Sequence, residues 1–282
     1  MKKTIFISVL ILSFDALAVC NEVGYFDCGT TGDVKWYVSN DQKTLSFSGN
    51  GAMDNYEQTK IFDDNGKEIA NITTAPWKDY TYQIENIVIA EGVTSIGDHA
   101  FATFENTKNV SLPNTLETIG IKSFRNTDSL LEVELPSSLV SIGSGAFLSG
   151  GLTKLVIPDG VESIGDNAFY NAKYLESLVI PASVTEIGKN VFGKGKNLNL
   201  IGTFYCEQPS TGTSPCNSGL GVSQDRFKYY TKDQNGNIIV NGQKYSSLEK
   251  LAKGVEVKRI YTVEEASKLS KPTGNTFKLR YK

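Results

Sequence analysis

Thr94-Ser95-Ile96-Gly97-Asp98-His99-Ala100-Phe101 returns four more times along the chain: as Glu117-Thr118-Ile119-Gly120-Ile121-Lys122-Ser123-Phe124, Val140-Ser141-Ile142-Gly143-Ser144-Gly145-Ala146-Phe147, Glu162-Ser163-Ile164-Gly165-Asp166-Asn167-Ala168-Phe169 and Thr185-Glu186-Ile187-Gly188-Lys189-Asn190-Val191-Phe192. The isoleucines stand at 96, 119, 142, 164 and 187, in steps of 23, 23, 22 and 23 residues. A fixed period of this length marks a solenoid, in which each unit touches only its neighbours. Ahead of each phrase lies a short β-prone segment: Ile87-Val88-Ile89-Ala90, Val110-Ser111-Leu112-Pro113, Val133-Glu134-Leu135-Pro136, Leu155-Val156-Ile157-Pro158 and Leu178-Val179-Ile180-Pro181. Its first and third residues are always large and aliphatic, the period of a strand with one buried face. Proline closes the last four segments, and without an N–H it cannot remain in a ladder. A single unit cannot bury both its strand and its Ile-Gly-x-x-(Ala/Ser/Val)-Phe patch. Stacking puts Ile over Ile, Phe over Phe and Leu over Leu, which makes the core continuous.

The glycine after each isoleucine requires either a positive φ or a close approach of backbones. Taken together, the pattern L-x-x-(V/L)-x-(I/L)-P-x-x-(V/L)-x-x-I-G-x-x-A-F resembles the BspA-like leucine-rich repeats of bacterial and protist surface proteins, from Ile84 to about Leu200. The resemblance implies a leucine-rich-repeat β-solenoid and a binding role. It departs from the family after the phenylalanine, where Asn-Cys is frequent. Here the pairs are Asn126-Thr127 and Asn171-Ala172, with Thr103 and Ser149 two residues after Phe101 and Phe147. A polar residue at that level is expected to satisfy backbone groups of the core.

We divide the chain into a signal peptide (1–18), an N-terminal β cap (19–83), a solenoid of five repeats (84–202), a disulfide-pinned loop (203–225) and a small basic α+β unit (226–282). The cap covers the open apolar columns of the first repeat. Within it, Val34-Lys35-Trp36-Tyr37-Val38 and Thr44-Leu45-Ser46-Phe47 flank a polar turn and read as a hairpin. Trp36 and Trp77 are expected to be core anchors. Beyond Phe192 the repeat decays, and the Gly, Ser, Thr and Pro of 203–224 suggest a loop. In the tail, Lys228–Thr231 and Ile238–Val240 flank Asp233-Gln234-Asn235-Gly236-Asn237, a second hairpin signal, before helices at Ser247–Leu251 and Glu264–Ala266.

Export is read from Lys2 and Lys3, the apolar run Thr4 to Leu12 and the small-residue exit Ala16-Leu17-Ala18. Cleavage near Ala18 would deliver a secreted, periplasmic or cell-surface protein. In an oxidising compartment the close pairs Cys20 with Cys28 and Cys206 with Cys216 are expected to form disulfides, although three connectivities remain open. With one histidine and no C-x-x-C, no metal or other cofactor is expected. No stretch after the signal is long enough to cross a membrane. The net charge of −3 conceals a polarity: thirteen Lys/Arg against five Asp/Glu from Arg226 to Lys282 put +8 on the tail and leave −11 on the remainder.

Catalytic material is sparse. His99 falls at a variable position of the phrase, where the other copies carry Lys122, Gly145, Asn167 and Asn190, and is expected to be a solvent-facing turn residue. Glu132 and Glu134 share one face of a strand, the placement a carboxylate-dependent hydrolase would require, yet outward charges on a ladder ordinarily keep it soluble. The ladder face itself is the candidate site. Its outward residues are Val88, Ser111, Glu134, Val156 and Val179, flanked by Asn86, Asn109, Glu132, Lys154 and Ser177. Five strands ~4.8 Å apart make it about 20 Å wide. We expect a non-catalytic protein that recognises a protein or glycan on a host, matrix or neighbouring cell, not nucleic acid. A second expectation is an envelope-associated structural protein held by its basic tail. The sequence leaves the oligomeric state open.

Overall fold

The computed structural model describes residues 25–175, 177–192, 203–208, 227–240 and 242–246. The signal segment, Cys20, Cys216 and the tail helices lie outside them. The cap contributes β1 (Tyr25–Thr31), β2 (Val34–Ser39), β3 (Thr44–Gly49), β4 (Gly51–Ala52), β5 (Gln58–Phe62) and β6 (Glu68–Thr73). A single 3-10 turn, Lys78–Tyr80, leads into the repeats. These supply β7 (Asn86–Ile89), β8 (Val93–Ile96), β9 (Asn109–Ser111), β10 (Thr118–Ile119), β11 (Ser141–Ile142), β12 (Lys154–Val156), β13 (Ser163–Ile164), β14 (Ser177–Ile180) and β15 (Glu186–Ile187). Beyond them come β16 (Thr203–Glu207), β17 (Phe227–Lys232), β18 (Ile238–Val240) and β19 (Gln243–Tyr245).

Two parallel ladders run the length of the stack. One comprises β4, β8, β10, β11, β13 and β15, with Ile96, Ile119, Ile142, Ile164 and Ile187 in register. The other runs β3–β7–β9, is interrupted at the third coil, and resumes as β12–β14–β16–β17. At the interruption, residues 131–135 form no strand, and a lone bridge links Glu132 to Lys154. The expected hairpin is β2–β3, with Trp36 opposite Phe47. Because β3 then pairs in parallel with β7, the cap is the first rung of the ladder as well as its cover. Neither β1, antiparallel to β2, nor the β5–β6 ribbon was evident from the sequence.

Between the ladders the chain turns through the phenylalanine, and every second N–H there reaches the next coil. His99, Phe101 and Thr103 donate to the carbonyls of Ile121, Ser123 and Arg125, and Lys122, Phe124 and Asn126 donate to those of Ser144, Ala146 and Leu148. The intervening residues bond backward within their own coil, as Ala100 does to Gly97. This alternation requires left-handed residues at two levels: His99, Lys122, Gly145, Asn167 and Asn190 have φ between 51° and 62°, and Thr103, Asn126, Ser149 and Asn171 between 56° and 71°. Asn and Gly suit such positions, whereas Lys122 and the β-branched Thr103 adopt them at a cost. The conserved-looking glycine of the phrase serves the other purpose, close approach. A Cβ on Gly143 would stand 2.7 Å from the backbone of Gly120 and Ile121, and one on Gly97 1.7 Å from the Asp54 carbonyl.

Inside, Phe101, Phe124, Phe147, Phe169 and Phe192 form one column with successive ring centroids 5.3, 5.4, 5.7 and 5.9 Å apart. Each such burial contributes roughly 1.5–3 kcal/mol. The column continues into the cap through Phe47 and Trp77, with Trp36 edge-on to Trp77, and both tryptophans are buried. Trp77 Nε1 meets its need for an acceptor at the Ala100 carbonyl, 2.9 Å away. The polar level after the phenylalanine also bonds backbone: Thr103 Oγ1 donates to Asn71 O at 2.9 Å, and Thr127 Oγ1 to Phe124 O at 2.9 Å.

The C-terminal side differs from the expectation in one respect. Residues 203–207 are not loop but the sixth strand of the interrupted ladder, parallel to β14, and β17 follows parallel to β16. The chain then reverses through the Asp233–Asn237 turn into antiparallel β18 and β19. The strand escaped notice because it carries Tyr205 and Cys206 where earlier copies have aliphatic residues, and neither proline nor an Ile-Gly phrase follows.

The glycine column yields a direct test. Gly143→Val should lose about 1–3 kcal/mol, since coils 2 and 3 must separate to admit it. Gly145→Asn, at a left-handed position that Asn already fills in neighbouring coils, should leave the thermal midpoint almost unmoved. Equal midpoints for the two variants would refute the close-approach assignment.

Candidate binding face

The outward side of the interrupted ladder collects most of the residues proposed from sequence. Ser111, Glu132, Glu134, Lys154 and Val156 line one open depression together with Asn109 and Leu112. Glu132, Glu134 and Ser111 are exposed, whereas Lys154 and Val156 are half-buried. Because residues 131–135 are not drawn into the sheet, the third coil leaves this hollow between β9 and β12. Val88 lies one rung further on, in register with Ser111 and half-buried.

Val179 does not belong to this surface. Expected to point outward into solvent, it is fully buried, in a second small core with Tyr230, Ile238, Val240 and Tyr245, against which Val156 and Tyr205 also pack. The reason is tertiary: β18 and β19 return over the outer face of the strands that precede them. Ion pairs secure this cover. Lys232 Nζ lies 2.8 Å from Asp159 and 3.1 Å from Glu207, and Tyr230 donates its hydroxyl to Glu207 at 3.3 Å. Burial opposes the charge on Lys232, but its hydrogen bonds to Asp159 and Glu207 outweigh that and raise its pKa. Burial also pushes the Tyr230 hydroxyl well above the usual phenol range.

At the other margin the charges are tied off. Glu85 accepts from Lys43 at 2.8 Å and from Lys108 at 2.9 Å, and these bonds hold its carboxyl down to about 2. The face also continues beyond the first repeat, onto the cap. Since Trp36 and Val38 are buried, Tyr37 points outward, in register with Ser46, and Ser46 is in register with Val88. Sequence reasoning assigned no role to these cap residues. The in–out alternation of β2 was legible, but the parallel pairing that aligns it with the repeats was not.

The opposite ladder carries a larger depression, along Thr118, Ser141, Ser163 and Glu186. Its polar groups are largely spent on holding coils together: Asp98 accepts from Ile121 N and Asp166 from Lys189 N, both at 2.6 Å, and Ser141 Oγ donates to Thr118 Oγ1 at 3.3 Å. His99, nearby in the turn, is half-buried instead of solvent-facing, and its Nδ1 is buried without a partner among the described residues. Desolvation, reinforced by Lys122, lowers its pKa. Among the described residues, no three His, Cys, Asp or Glu side chains gather as metal ligands, and no helix is long and apolar enough to cross a membrane.

Comparison with known proteins agrees with this architecture. Residues 77–199 match the BspA type leucine rich repeat region in six copies, one more than the five Ile-Gly phrases, with the match starting at Trp77. No curated protein matches the chain in sequence. Among solved structures, a leucine-rich repeat protein from Eubacterium ventriosum is 22% identical, with a TM-score of 0.50 over 76% of this chain and 49% of that one. The chain thus spans about half of that protein's length. A leucine rich repeat protein of T. pallidum is 23% identical over 62% of this chain and 80% of its own, with a TM-score of 0.42. Residues 77–199 are thus a BspA-type leucine-rich-repeat region.

Proposed function

We propose that this is an exported, non-catalytic recognition protein that binds a macromolecule of a host, matrix or neighbouring cell through the depression lined by Ser111, Glu132, Glu134, Lys154 and Val156. One observation carries the reading. Polar and charged groups not consumed by the fold stand together where β9 and β12, each paired with a neighbouring strand, flank residues 131–135. The flanking strands hold Ser111, Lys154 and Val156 in place before a partner arrives, so less conformational freedom is lost on binding there. The repeat family, known for binding roles, supports the same class.

Export is supported by the Lys2–Ala18 segment and by the cysteines. Among the described residues no cysteine is free, and Cys28 and Cys206 are disulfide-bonded, which supports bridges to Cys20 and Cys216 formed in an oxidising compartment. For the alternative of attachment by the basic tail, Lys232 is paired with Asp159 and Glu207 and Lys244 with Asp233, and the side chains of the tail's other basic residues lie outside the described residues.

The double variant Glu132→Lys with Glu134→Lys should weaken capture of a partner from candidate surfaces about tenfold while leaving the thermal midpoint in place, because exposed charges steer and select more than they stabilise. Val179→Lys should do the reverse to the fold and lower the midpoint, since burying an ammonium costs several kcal/mol. Undiminished capture by the double variant would remove the depression from the proposal. For the cysteines, unreduced denatured protein should show no thiol reactive to a maleimide, and reduction should destabilise the C-terminal side by about 2–3 kcal/mol for a ring of this size. Four reactive thiols would contradict both bridges.

A further inference from the structure

The face described above extends beyond the depression, which shares with this extension only the Asn109 and Ser111 edge. Across β2, β3, β7 and β9 the register aligns Tyr37, Ser46, Val88 and Ser111 in one row, and Thr44, Asn86 and Asn109 in the row beside it across β3, β7 and β9. At the cap end, the Tyr37 ring lies against that of Tyr25, with centroids 4.9 Å apart and planes tilted by 38°. In the polar row, Asn109 Nδ2 donates to Asn86 Oδ1 at 2.8 Å, and Asn86 Nδ2 to Thr44 Oγ1 at 3.5 Å. That chain of amides fixes their orientation and does not use the Asn109 Oδ1 acceptor. The hydroxyls of Ser46 and Ser111 enter none of the hydrogen bonds that hold the described sheet.

Charge decides which partner such a surface suits. Neither row contains an ionised side chain, and at their border Lys43 and Lys108 are both satisfied by Glu85. An anionic or cationic polymer would find no unpaired counter-charge in the rows. What the rows offer is an aromatic face, a short aliphatic contact at Val88, and hydroxyl and amide groups that both donate and accept. These complement a molecule that alternates C–H faces with hydroxyl groups and carries no charge. From β1 to β9 the five strands span roughly 19 Å, enough for several sugar rings end to end.

We infer that the outward face of β1–β2–β3–β7–β9 binds a neutral glycan chain lying across the strands, with Tyr37 stacked on one sugar ring and Ser46, Asn109 and Ser111 bonding the hydroxyls of the next. The inference rests on the ladder being a recognition face and names the chemistry of its partner. It differs from that reading in centring on the cap and the first two repeats, and it shares with the charged hollow at Glu132 and Lys154 only the Asn109 and Ser111 edge.

The test is affinity electrophoresis of the full chain through gels containing soluble mannan, laminarin or xyloglucan, with heparin as the charged comparison. At least one neutral polymer should retard the protein, and the retardation should persist in about 0.5 M NaCl, where surface charge effects are screened. Tyr37→Ala should reduce the apparent affinity about tenfold by removing the stacking ring. Ser111→Lys, at an exposed position on β9, should reduce it comparably and covers the case in which Tyr37→Ala perturbs the cap. Absence of retardation in every neutral polymer, retardation by heparin alone, or full retention by both variants would overturn the inference. If neutral polymers fail while Glu132→Lys with Glu134→Lys still loses a captured partner, recognition through the hollow stands and the glycan assignment falls.

Discussion

Every coil of this protein must come within one peptide hydrogen bond of the next, and all else in the structure is arranged around that contact. The requirement is most severe at the glycine that follows the isoleucine, where a Cβ would overlap the backbone of the adjacent coil. Once backbones meet there, the phenylalanines four residues on are brought to stacking distance, and the turn N–H groups find carbonyls one coil on. The left-handed residues in the turns follow from the same demand. Only by alternating forward and backward bonds does an unhelical turn satisfy its polar groups in a buried position.

A surface built in this way is rigid for reasons unrelated to binding. Each outward side chain sits on backbone clamped from both sides, so its position follows from coil number. The third coil breaks the pattern, since residues 131–135 leave the ladder while Val133 stays buried beneath them. The hollow beside Glu132 and Glu134 is therefore a local loss of sheet bonding over an intact core. Cap and hairpin bound the face differently. The cap extends it, because β3 joins the ladder in parallel. The C-terminal hairpin closes it, because β18 and β19 fold back over Val179.

His99 shows how the same position in each coil can hold different chemistry at little cost to the fold. Lys, Gly and Asn occupy its counterparts, and all share a left-handed backbone. What varies is only the side chain beyond Cβ, and in the first coil it is partly covered. The repeats thus separate residues that set geometry from residues that set surface character, which is how one scaffold supports many partners.

By itself the sequence determined the solenoid, its period, the inward columns, the tryptophan anchors of the cap and both hairpins, because each is a local signal repeated or bounded by turn residues. It also placed Ser111, Glu132, Glu134, Lys154 and Val156 on one face, since alternation along a strand is a property of consecutive residues. It could not tell which of two roles the phrase glycine fills, since positive φ and close approach select the same residue. Nor could it show that β16 prolongs the ladder, or that Val179 is covered while Val156 lies at the margin. Those outcomes depend on which distant strand arrives against a given face, and only tertiary packing, in which β17–β19 bury one end of the ladder and the cap lengthens the other, decided them.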